Sequence, residues 1–352
     1  MPDLHPLPAR LGLRLPILQA PMAGTASPPL AAAATEAGGL GALGLAAMTP
    51  VRAAEEIAAT RALTGGPINA NFFCHRQAPS DPQRDARWLA RLAPEFARLG
   101  VTPPEQLQAI FPTFRGNAAL LDVVLDTRPE VLSLHFGLPE PETVTRLKAE
   151  GIVLIATATS LVEGRAVEAA GFDAVVAQGW EAGGHRGLFD EDGPDARLGS
   201  LALTRLLARS LSIPVIAAGG IMDGAGIAAV ERLGAAAAQM GTAFVACPES
   251  RADDGYRAAL AEAADTVMTR AISGRPARGL ANRFTALGDG LPRAEISAYP
   301  YAYDAGKALI AAAKARGEAG FGAHWAGQGA PLARALPAAE LMARLAEERA
   351  AA

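Results

Sequence analysis

Residues 172–187 read Phe172-Asp173-Ala174-Val175-Val176-Ala177-Gln178-Gly179-Trp180-Glu181-Ala182-Gly183-Gly184-His185-Arg186-Gly187. The first six form a short apolar run that reads as a strand. The run is continuous rather than alternating, which fits a strand buried on both faces, as in a parallel sheet. Ala182, Gly183 and Gly184 then lead into a histidine. Glycine lets backbone N–H groups approach a ligand closely and takes up positive φ. An imidazole changes its charge near neutral pH. Taken alone, the stretch fits a ligand-binding elbow and an ordinary turn with a solvated histidine about equally well.

Working outward, similar apolar runs recur at 16–22, 40–44, 67–73, 131–136, 152–157, 213–218 and 237–241. Helical patterns separate them at 31–37, 50–64, 139–150, 161–170, 201–210 and 224–233. Thr49 and Pro50 form a cap-plus-proline start for the second of these. Eight strands alternating with helices predict a parallel sheet. The regular spacing, with roughly 250 residues for all eight units, favours a closed (β/α)8 TIM barrel over an open doubly wound sheet. No G-x-G-x-x-G follows the first strand, as a dinucleotide fold would usually have. The expected organisation is a barrel over 1–246 with a helical insertion at about 76–128. That insertion holds helices near 83–99, 104–111 and 118–126. A helical cap over 247–330 follows, then a C-terminal helix over 331–352 that packs back on the barrel.

Composition narrows the function. Half of the 352 residues are hydrophobic, 19% are charged and the net charge is −4, enough for a large core and without the basic face that nucleic-acid binding usually needs. Cys74 and Cys247 form no disulfide framework and no zinc spacing, and no histidine pairs with a carboxylate or thiol at a metal-ligand spacing, so no metal is expected. The N-terminus lacks an apolar signal region and no segment makes a good membrane span. The expectation is a cytoplasmic protein.

In a barrel the C-terminal strand ends converge on one site. The candidates there are Ala20, Pro21 and Met22, then Asn71, His135, Gln178 and His185, then Gly219 and Gly220, and finally Gln239, Met240, Gly241 and Thr242. Loops after the last two strands commonly bind phosphate through backbone N–H groups. The amides of Asn71, Gln178 and Gln239 each donate and accept, which suits a heterocycle such as a flavin. For any one of them a satisfied core hydrogen bond is as good a reading. His135 could line the pocket or be a hydrogen-bonded core residue, His75 could fix its loop, and His5 and His324 are expected at the surface. Glu181 is not assigned a catalytic role.

Five stretches, 19–24, 71–75, 178–185, 217–221 and 239–242, together resemble the nitronate monooxygenase family (formerly 2-nitropropane dioxygenase), with Asn71-Phe72-Phe73-Cys74-His75 resembling its class I. The resemblance implies FMN-dependent oxidation of alkyl nitronates by O2 to a carbonyl compound plus nitrite or nitrate. Propionate 3-nitronate is the expected substrate, and the state a monomer or homodimer. It implies that Asn71, Gln178, Gly183, Gly184, Gly219, Gly220 and Gln239–Thr242 hold FMN, with the Ala20–Met22 backbone near its ring system. It makes His185 the catalytic residue, stabilising negative charge by hydrogen bonding or as imidazolium, or abstracting an α-proton. NAD(P)H-dependent FMN reductases of quinones or enoyl thioesters share the glycine-glycine-histidine stretch and form the alternative. Tyr299, Tyr303 and Lys307 share a stripe if 299–315 is helical. An ordinary packed face would show the same stripe; the resemblance implies that these residues line the substrate mouth.

Overall fold

A computed structural model describes residues 6–352; His5, expected at the surface, lies outside them. The strands are β1 (Ile17–Gln19), β2 (Gly41–Gly44), β3 (Ile68–Phe73), β4 (Val131–His135), β5 (Val153–Ala158), β6 (Ala174–Gln178), β7 (Gly184–His185), β8 (Val215–Ala218), β9 (Ala237–Met240), β10 (Thr266–Thr269) and β11 (Ala277–Leu280). Eight of them pair in the order β1-β9-β8-β6-β5-β4-β3-β2, every pair parallel. One parallel bridge, Leu18 with Leu40, brings β1 to β2 and nearly closes a TIM barrel.

The two-residue period of a strand decides which side chains the barrel can use. Along β6, Ala174 and Val176 pack inside the barrel, while Val175 and Ala177 pack under the surrounding helices. Gln178 continues the inward row. By the same parity Phe72 points out to the helices, and Asn71 and Phe73 reach the mouth. On β4, Val131 is inside, Leu132 and Leu134 are outside, and Ser133 and His135 reach the mouth. The polar residues of the site are therefore the inward positions left over once the apolar layer beneath them is complete.

Local signals hold at the outer helices. Thr49 accepts from the Arg52 N–H at 3.3 Å and starts the helix Pro50–Arg61, a cap contributing about 1 kcal/mol. The last helix, Ala338–Ala351, lays Leu341, Met342 and Leu345 against the helices Pro28–Glu36 and Gly224–Arg232.

Three expectations are corrected. No helix forms at 104–111. Pro103 and Pro104 supply no donors at its start, and the Gln108 N–H goes to Asp304 Oδ2 at 2.8 Å rather than to a helical carbonyl. The section after the barrel is not wholly helical, because β10, β11 and β7 form an antiparallel sheet. The β-branched Thr266, Val267 and Thr269 were the signal for it. His324 is buried rather than exposed, stacked on Tyr256 with ring centroids 4.8 Å apart.

Candidate active site

A cavity of about 270 Å³ opens at the C-terminal ends of the barrel strands. Ala20, Pro21, Met22, Asn71, His135, Gln178, Gly183, Gly184, His185, Gly219, Gly220, Gln239, Met240, Gly241, Thr242, Tyr303 and Lys307 all line it. Tyr299 does not. The helix begins at Tyr301, with Pro300 at its cap, and the residue before a proline is kept out of the α region. Tyr299 therefore leaves the stripe that Tyr303 and Lys307 keep. It is buried behind the wall, 4.9 Å from the His75 ring and 5.7 Å from Phe136, with no partner for its hydroxyl among the described residues.

One side of the cavity is a glycine floor. Gly219 has φ +115° and Gly220 φ +73°, conformations that favour glycine. The N–H groups of Gly219, Gly220 and Gly241 find no acceptor among the described residues. Adjacent free N–H groups in such a turn make an anion cradle. Gly183 is required for a different reason: a Cβ there would lie 2.5 Å from the Gly327 nitrogen, so the elbow and the 326–329 loop approach backbone to backbone. Thr242 Oγ1 accepts from that same Gly327 N–H at 3.0 Å.

The amides divide by role. Gln178 spends both ends on the elbow: Nε2 donates to the His185 carbonyl at 2.8 Å, and Oε1 accepts from the Gly187 N–H at 2.7 Å. Asn71 donates to the Ser133 carbonyl and hydroxyl at 3.0 and 2.9 Å, which leaves its own oxygen for the cavity. The Gln239 amide has no protein partner among the described residues. Unpartnered N–H groups on one side and unpartnered amide groups on another fit a ligand with an anionic tail and a hydrogen-bonding ring system. Glu181 takes neither role. Its carboxylate accepts from the Ser200 N–H at 2.8 Å and caps the helix Ser200–Ser210, whose own cap, Gly199, has no side chain.

Opposite the floor stands His185. Its Nε2 is 2.9 Å from Ser273 Oγ, and its ring packs 5.3 Å from Trp325 and 5.6 Å from Phe136. Burial, then the neighbouring His135, then Arg275, push its pKa down to about 3. The shift favours the neutral imidazole over the imidazolium reading. His135 meets both of its readings: it lines the cavity, and its Nε2 donates to the His185 carbonyl at 3.1 Å. Behind these rings the buried Arg275 guanidinium lies 4.0 Å from the Phe136 centroid. Arg186, next to His185, is buried and bound at 2.9 Å through two nitrogens to Asp195.

At the mouth the Lys307 ammonium sits 4.5 Å from the Phe111 ring centroid and has no ion-pair partner among the described residues. Burial pulls its pKa down. Phe111, Tyr256, Ser273, Arg275 and Trp325 are site residues that sequence reasoning missed. They come from the insertion and from the segment after the barrel, where no strand parity announces them.

Known proteins resemble the chain over nearly its whole length. A family model described as nitronate monooxygenase matches residues 6–348. A nitronate monooxygenase of Paraburkholderia phytofirmans is 59% identical over 340 residues, 96% of this chain and 93% of that protein. One from Pseudomonas aeruginosa is 52% identical over 342 residues, 96% of this chain and 97% of that protein. Among solved structures, a nitroalkane oxidase from Streptomyces ansochromogenes superposes with TM-score 0.90 at 42% identity, covering 98% of each chain. FabK from Thermotoga maritima superposes with TM-score 0.74 at 30% identity, covering 98% of this chain and 96% of that one.

Proposed function

The chain belongs to the nitronate monooxygenase family of oxidoreductases, and from that premise we propose that it binds FMN and oxidises alkyl nitronates with O2 to an aldehyde or ketone plus nitrite or nitrate. One observation carries the reading. A single cavity joins a floor of unpartnered glycine N–H groups to a wall bearing a neutral imidazole and an unpaired lysine. FMN when bound supplies the electron acceptor that links the nitronate to O2.

The N–H groups of Gly219, Gly220 and Gly241 would hold its phosphate. The amides of Asn71 and Gln239 would face its ring edge, and the Ala20–Met22 backbone would lie alongside the ring. Gly183 and Gly184 shape the elbow, and Gln178 serves through that elbow by holding the His185 carbonyl. Lys307 and Tyr303 would take the carboxylate of an anionic substrate such as propionate 3-nitronate, with Tyr299 supporting them from behind the wall. A nitronate is a carbanion equivalent, and an imidazolium beside it would return a proton to carbon. An imidazole held at about pKa 3 avoids this at neutral pH. For a neutral nitroalkane the same imidazole would be the group placed to accept the α-proton, and its lowered pKa makes it a weak base that depends on positioning.

Oxygen uptake tests the reading. The purified flavoprotein should consume O2 with propionate 3-nitronate. His185→Asn should lose roughly a hundredfold or more in kcat/KM with a neutral nitroalkane, the usual range for a removed general base. Absence of uptake on any nitronate, together with rapid anaerobic bleaching of the flavin by NADH, would instead establish the reductase alternative.

A further inference from the structure

The antiparallel pairing of β7 with β11 sets Ala277 opposite His185. The chain before β11 turns at Gly274, φ +91°, and brings Ser273 back over the imidazole. Ser273 is 1% exposed. Its oxygen lies 2.9 Å from His185 Nε2 and 3.2 Å from the Arg275 carbonyl. A carbonyl only accepts, so the serine proton belongs to that second contact. The serine oxygen is then left to accept from Nε2–H. Reversing the first bond would strip the Arg275 carbonyl of its only donor among the described residues, and buried carbonyls are rarely left so. The other ring nitrogen, Nδ1, has no protein partner and is not shut in. It is the ring nitrogen left for the cavity that His185 lines.

We propose that Ser273 is a positioning residue that locks His185 in the tautomer carrying hydrogen on Nε2, so that a bare Nδ1 lone pair faces the substrate. The assignment rests on the proposed nitronate and nitroalkane chemistry for its consequence, though not for its geometry. With the His185 carbonyl held by Gln178 and His135, the backbone cannot choose the tautomer, and Ser273 supplies the ring's one hydrogen bond. The consequence concerns substrates that still carry an α-proton. The Cα–H bond breaks, the proton goes to Nδ1, and the electron pair stays on carbon as the nitronate. No other co-reactant is needed for that step. Preformed nitronates skip it, so loss of the lock should separate the two substrate classes.

The test is a two-bond ¹H–¹⁵N correlation spectrum of the flavoprotein labelled at histidine nitrogen, with the His185 signals assigned by their absence in His185→Asn. The native protein should show one neutral His185 species, protonated at Nε2. Ser273→Ala should show the Nδ1–H form alongside it, and Ser273→Thr, which keeps the hydroxyl, should restore the single form. In oxygen uptake, Ser273→Ala should lose about tenfold in kcat/KM on a neutral nitroalkane, a part of the full general-base effect, with at most about a twofold change on the matching nitronate. An Nδ1–H or imidazolium signal in the native protein overturns the proposal, as does a single Nε2–H form persisting in Ser273→Ala. Failure of the functional reading looks different: no oxygen uptake on nitronates, whatever the tautomer.

Discussion

Lys307 and His185 divide the work of handling an anion. The lysine lies over the Phe111 ring with no ion-pair partner among the described residues, so its charge is available to a ligand. Burial, which keeps water from most of its ring, chiefly favours the neutral form of His185, and His135 and then Arg275 add to it. If the lysine holds a substrate carboxylate, Lys307→Met should raise KM for propionate 3-nitronate about tenfold, equivalent to about 1.4 kcal/mol. It should leave kcat nearly unchanged and barely affect ethyl nitronate, which has no carboxylate. Steady-state kinetics on the two substrates checks this, and equal effects on both would place the lysine in packing rather than recognition.

Charged side chains, from the loop itself and from the segment after the barrel, hold the loop between β6 and the helix Ser200–Ser210. Arg186 reaches Asp195 through two bonds and packs on the Trp180 ring together with Arg197 and Arg278, at 5.7, 5.1 and 5.3 Å from the ring centroid. Removing one partner of a buried pair leaves the other charge uncompensated. Asp195→Ala should therefore cost about 3 kcal/mol in urea denaturation, while the double change Arg186→Met with Asp195→Leu should recover much of it. At this scale the sequence was only partly legible. The eight parallel strands announce themselves as apolar runs because burial on both faces demands it. Their parity then places Asn71, Gln178 and Gln239 in the cavity. Nothing comparable marks β7, two residues long, or Ala277-Arg278-Gly279-Leu280 of β11, whose strand character comes from pairing with its neighbours. Ser273 reaches His185 only through that pairing, so its position depends on tertiary register rather than on any local pattern. Tyr299 fell off its expected stripe because a proline follows it, a local fact that the four-residue spacing outweighed.

Three imidazoles near the site share a lowered pKa: His75 pushed down to about 3, His135 to about 4 and His185 to about 3. Burial is the largest cause in each, and the Arg275 guanidinium adds to all three. In the unfolded chain each would titrate near its ordinary value of about 6.5. Between that value and the folded ones the unfolded state binds more protons than the native state, so stability rises with pH there and is lost as pH falls. Each group contributes a slope of about 1.4 kcal/mol per pH unit, or about 4 kcal/mol per unit for three together near pH 5. His324, also pushed down by burial, adds in the same direction, while Asp85, whose carboxyl is pushed up chiefly by burial, works the other way. Urea midpoints measured at pH 7, 6 and 5 should therefore fall at each step, and by more from pH 6 to 5 than from pH 7 to 6. A flat profile down to pH 5 would mean that these rings are hydrated and titrate as they do in the unfolded chain, and the neutral His185 on which the site's chemistry depends would then fail with them.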